Sequence, residues 1–158
     1  MTALGAVEEL IELVRSNDDL AHFGDGCPDE LLDEAERELQ LSLPPSYRRF
    51  LAEFGTCDVA GLEFLGIFRT PAMGDALLGT VRETLHARAS WGLAESMIVV
   101  MFDEMGGLNV LDSSNVDAED EAPVLAWTPD GSAEGLGADF GEYALARCVA
   151  AIRGWRSS

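Results

Sequence analysis

The chain has 158 residues, 47% of them hydrophobic and 25% charged, a length and balance that suit one globular domain with a real core and exclude a wholly disordered chain. Asp and Glu total 29 and the basic residues total 10, for a net charge of −19, and every basic residue is Arg. Such a surface repels nucleic-acid backbones and anionic membranes and attracts basic proteins, so neither nucleic acid nor membrane is expected as a partner.

The first predicted helix spans residues 2–15, with Val7, Leu10, Ile11 and Val14 on one stripe. No apolar run reaches the roughly 20 residues of a membrane helix, and the amino terminus carries no basic leader. Ser16 to Gly26 is expected as a polar break. A second helix should start at Pro28, which suits a first helical position, with Leu32, Ala35 and Leu39 inward. Its outer face is acidic: Asp29, Glu30, Asp33, Glu34, Glu36 and Glu38. Leu43-Pro44-Pro45-Ser46 stops it and opens a third helix, in which Tyr47, Phe50, Leu51 and Phe54 face the core and Gly55 caps the end.

Val59 to Phe68, an apolar run around Gly61 and Gly66, fits a short strand or hairpin. Ala76 to Ala89 reads as a helix with Asp75 as N-cap and Leu77, Leu78, Val81 and Leu85 inward. Met97 to Phe102 is six consecutive apolar residues, a buried strand. Gly106-Gly107 turns the chain into Leu108 to Leu111. Val116 to Ala122 is an acidic loop, Pro123 to Thr128 another strand, and Pro129-Asp130-Gly131 a turn. The last helix opens at Asp139, with Glu142 completing a capping box and Phe140, Tyr143, Ala144, Val149 and Ile152 inward. Sequential strands with short turns imply an antiparallel sheet of about four strands. Helices on its flanks make the chain a single α+β domain over 1–158, with a core of about 28–153.

The stretch Leu43-Pro44-Pro45-Ser46-Tyr47-Arg48-Arg49-Phe50-Leu51, preceded by an acidic helix and followed by Gly55 and Gly61-Leu62-Glu63-Phe64-Leu65-Gly66, resembles the SUKH superfamily, which joins the fungal Smi/Knr cell-wall regulator domain to bacterial relatives. The later pieces come in the family's order: Met97 to Phe102, Gly106-Gly107, Leu108 to Asp112, Val124 to Trp127, and a closing helix from Phe140. The resemblance runs from about Leu31 to Val149. The chain departs from the pattern in its acidic insert, Val116 to Ala122, and in Ala138-Asp139, where the family often has Ser. The resemblance implies a binding protein. Bacterial members act as immunity proteins that neutralise polymorphic toxins, often nucleases or deaminases, and the family supplies no catalytic residues to carry over.

The residues offer no catalytic pattern of their own. His22 and His86 sit in no nucleophile–base motif, and no phosphate-binding glycine spacing occurs. Cys27, Cys57 and Cys148 are odd in number and widely spaced, with no CxxC pair, so a reducing, cytoplasmic setting is expected. Cys27 precedes a helix start, which can lower a thiol pKa, but packing as a small apolar residue is the better reading. The acidic loop lacks the spacing of a calcium site. No metal or cofactor is expected. Trp91 and Trp155, at helix ends, are expected to be partly exposed.

The charge map is more informative. Residues 89–146 hold twelve acids and no Arg, Lys or His. Their positions at strand ends and turns suggest one acidic rim. Asp103, Glu104, Asp112, Asp117, Glu119, Asp120 and Glu121 are the candidate partner-binding residues. An acidic rim can occupy a nuclease's basic cleft and steer association. The expected function is a non-enzymatic immunity protein that occludes a cognate basic toxin. The alternatives are a regulatory scaffold of the Smi/Knr type that binds signalling proteins, and an enzyme with an unrecognised site.

Overall fold

The computed structural model describes residues Met1–Ser158. Five helices and nine short strands surround a shared core. Helix α1 (Ala3–Ser16) is N-capped by Thr2, whose hydroxyl accepts from Gly5 N. Its Val7, Leu10, Ile11 and Val14 are buried, as their spacing requires. It lies along α5 (Phe140–Ser157), and Gly141 sets the approach: a Cβ there would meet the Ala3 carbonyl oxygen at 2.2 Å. Asp139 caps α5 by accepting from Glu142 N. Cys148 is fully buried in α5, while Val149, expected inward, is only half-buried.

Helix α2 (Asp29–Leu39) begins one residue later than expected, with Pro28 as the cap. Helix α3 (Pro45–Phe54) has Pro45 in its first turn and Gly55 at its end with φ 70°. Its Tyr47, Phe50, Leu51 and Phe54 are buried at the centre of the core. Phe50 packs edge-on or tilted against Phe54, Phe64 and Phe140 at centroid distances of 5.2–5.5 Å.

The break between α1 and α2 holds a strand that the polar composition hides. β1 (Ala21–Phe23) pairs antiparallel with β2 (Cys57–Val59), which turns at Ala60-Gly61 into β3 (Leu62–Phe64). β4 (Ile67–Phe68) pairs with β5 (Leu78–Gly79). That pairing overturns the expected helix start at Ala76. Gly79 has φ 73°, outside the helical region, and caps α4 (Thr80–Ser90) in place of Asp75. Leu77 and Leu78 are buried outside the helix, and Leu85, expected inward, is 38% exposed.

The main sheet is an antiparallel meander of β6 (Met97–Phe102), β7 (Leu108–Asp112), β8 (Val124–Trp127) and β9 (Ala133–Gly137). One face, carrying Leu108, Val110 and Trp127, packs on Ala87 and Leu93; the other, carrying Ile98, Val100, Leu111 and Val124, joins the large cluster with α1, α3 and α5. β9 has no apolar run and is held as an edge strand by pairing with β8. The fold is thus α+β with antiparallel sheets. No helix is long and apolar enough to cross a membrane.

Candidate protein-binding surface

Strand register decides which candidate acids share a surface. Phe102 pairs with Leu108 and Met97 with Asp112, so the turn holding Asp103 and Glu104 is at one end of β7. Asp112 and the loop to β8 are at the other end, roughly 15 Å away along the strand. The seven candidates therefore lie at two opposite rims of the sheet, not on one. Asp130, in the β8–β9 turn, shares the Asp103–Glu104 end, because Trp127 pairs with Leu108.

Their side chains differ in freedom. Glu104, Glu119 and Asp120 are exposed, and their carboxylates make no hydrogen bond or ion pair within the protein. Asp103 accepts from Met105 N, Asp112 from Ser114 N, and Asp117 from Glu119 N and Glu121 N, so each shapes its own turn. Glu121 is 2% exposed and accepts from Ser46 N at 2.9 Å and Ser46 Oγ at 2.7 Å. Its carboxylate caps the amino end of α3. Burial pushes its carboxyl above the usual range, against the pull of the Ser46 hydrogen bonds. A side chain so placed anchors the loop and is withdrawn from any binding face.

The ion pairs show how charge is divided. Arg48 reaches Asp29, Asp33 and Glu36; Arg49 reaches Glu8 and Glu53; Arg15 reaches Glu53; Arg69 reaches Glu34; Arg156 reaches Asp19. None of these acids comes from residues 89–146. Seven acids, all of them outside residues 89–146, are paired with arginines, and the acids of residues 89–146 are in no ion pair.

Two concave features adjoin the β6–β7 turn. A cleft of about 700 Å³ is lined by His22, Cys57, Asp58, Arg82 and Glu83 among others. A recess of about 320 Å³ beside it shares Glu63 and Phe102 and adds Met101, Met105, Asn109 and Arg147. Sequence reasoning missed Asn109 and Arg147, since neither stands in a motif. In the cleft, Cys57 is buried and its thiol is pushed up to about 12, mainly by burial, so it is no nucleophile at neutral pH. Cys27 is likewise buried, donates to the Ile67 carbonyl, and has its thiol pushed up by burial, opposite to an activated cysteine. His22, expected in a loop, is exposed on β1; His86 is exposed on α4 beside Trp91. Trp91 and Trp155 are both partly exposed, as expected. No group of three or more His, Cys, Asp or Glu side chains is placed to hold a metal ion.

Five helices around antiparallel sheets define an α+β fold, and the acids of residues 89–146 take part in none of its ion pairs. The sequence pattern of the SUKH_5 family, described as SMI1-KNR4 cell-wall, matches residues 7–148, and the chain belongs to that family. No curated protein matches the chain.

Proposed function

We propose that the chain is a non-enzymatic immunity protein that neutralises a cognate basic toxin by occluding it through its acidic sheet side. The observation that carries this reading is the division of charge: residues 89–146 hold twelve acids, of which all but Glu121 and Asp139 reach the surface, without a basic residue among them or an ion pair to any. Unpaired carboxylates repel one another, so a bare acidic side costs the isolated domain stability, and a basic partner relieves that cost. The same field steers the encounter and speeds it at low salt. Occlusion needs no chemistry from this chain. The buried thiols, shifted upward, support that part of the reading.

Co-expression with the product of a neighbouring toxin gene tests it. The expected result is restored growth and a complex that purifies intact at low salt. Growth arrest that the chain does not relieve, with no complex formed, would overturn the reading.

A further inference from the structure

The tip of the β6–β7 hairpin leaves two large apolar side chains in solvent, Phe102 at 51% and Met105 at 90% exposure. They flank Asp103 and Glu104. Behind them lies the recess of about 320 Å³, walled by the β2–β3 turn, the hairpin tip and α5. At about 30 Å³ per water it has the room of roughly ten waters, enough for one long side chain.

Asn109 lines this recess from β7 and is only 3% exposed, a rare depth for an asparagine. Its Nδ2 donates to Tyr143 Oη at 2.8 Å, but its Oδ1 meets no donor. A buried acceptor left without a donor costs folding free energy and marks a place where a donor is missing. The recess also carries three carboxylates, Glu63, Asp103 and Glu104, against the single guanidinium of Arg147. None of the four is in an ion pair. Arg147 instead lies over the Tyr143 ring and donates to its Oη.

We propose that this recess receives one arginine or lysine side chain of the protein partner. Its N–H groups donate to Asn109 Oδ1 and to the carboxylates of Glu63, Asp103 and Glu104, and its methylene stem lies against Phe102 and Met105. The inference deepens the acidic-surface reading and rests on it, naming the one point on that surface where a charge is bound in a formed pocket and not merely steered. The setting is that of an interface anchor: aromatic and methionine contacts around a partly desolvated charge. Arg147 opposes the incoming cation, which fixes the sign of its effect. If the recess took an anion instead, Arg147 would be its main attraction.

The test is an NMR titration of the full chain with N-acetyl-arginine amide at low salt, and with N-acetyl-glutamate amide as the opposite probe. The arginine probe should shift the Asn109 side-chain amide and the backbone of residues 61–63 and 101–105, and these shifts should saturate. Asn109→Ala should weaken that binding about tenfold or more, the worth of a hydrogen bond to a charged group. Glu104→Gln, on an exposed side chain with no role in the core, should weaken it too, and Arg147→Gln should tighten it. Shifts confined to Glu119 and Asp120 would overturn the recess and leave the acidic-surface reading standing. Saturable binding of the glutamate probe, lost in Arg147→Gln, would overturn it in favour of an anion site. An arginine probe that moves no resonance anywhere would overturn both.

Discussion

Ser46 Oγ donates to Glu121 Oε1 and accepts from Gly141 N, so one hydroxyl ties the acidic loop to α3 and α5. Glu121→Ala leaves Ser46 N and Oγ without their acceptor in a buried place, and should cost about 1–3 kcal/mol in urea unfolding. The same truncation at exposed Asp120 should cost almost nothing. Glu121 also predicts a pH dependence. Its carboxyl is raised above 4.5 in the folded chain, mainly by burial, so the folded state holds the proton more tightly than the unfolded one. Its contribution to stability is therefore fully present at acid pH and declines as pH rises through the folded value. Glu121→Gln lacks that decline, so its stability relative to the native chain should improve as pH rises above the unfolded value of about 4.5. A gap that worsens over that range would mean that the hydrogen bonds outweigh burial. At the core's centre, Phe50 is fully enclosed by three aromatic rings, and Phe50→Ala should cost about 3–5 kcal/mol in the same assay.

Among the elements, those with a strong apolar period were legible and those held by partners were not. The stripes of α1 and α3, the Met97–Phe102 strand and the Asp139 cap follow from local chemistry alone. β1 and β9 have no such pattern. β1 is a three-residue strand in a polar break, and β9 carries Gly135 and Gly137 and is exposed; each exists because a neighbouring strand presents unpaired backbone groups. The misplaced start of α4 has the same origin. Leu77 and Leu78 continue a helical period, yet Gly79 breaks it where the backbone must pass the Gly66 carbonyl. A Cβ on Gly79 would meet that oxygen at 2.0 Å, at a φ of 73° that disfavours any side chain. Gly79→Ala should cost more than about 1 kcal/mol by urea unfolding, whereas Gly74→Ala, with open space around it, should show only the φ penalty. Of the candidate site, its sign of charge was legible; its division between two rims was not, because register is a long-range property. The removal of Glu121 from the surface was hidden for the same reason, its partner Ser46 being 75 residues away.

Across the whole molecule, charge is segregated as well as excessive. The ion pairs gather on α1, α2 and α3, with Arg69 reaching α2 and Arg156 reaching Asp19, and the acids of residues 89–146 are left outside them. At a net charge of −19, repulsion outweighs the screened surface pairs, each worth about 0–1 kcal/mol. The melting temperature should therefore rise as NaCl increases from about 0.01 M to about 0.15 M, where the screening length falls from about 30 Å to about 8 Å. A domain stabilised mainly by its surface pairs would melt lower instead.

The central claim is that the bare sheet side, not the acidic helical side, meets the partner. Stopped-flow association with the co-purifying toxin at two salt concentrations tests it on two variants of equal charge change. One carries Glu104→Gln, Glu119→Gln and Asp120→Asn; the other carries Glu12→Gln, Glu30→Gln and Glu38→Gln, exposed acids of α1 and α2 in no ion pair. The sheet-side variant should associate more slowly at low salt and with a flatter salt dependence, and the helix variant should behave as the native chain does. The reverse, a helix variant that loses the salt dependence beside a sheet-side variant that keeps it, would contradict the account.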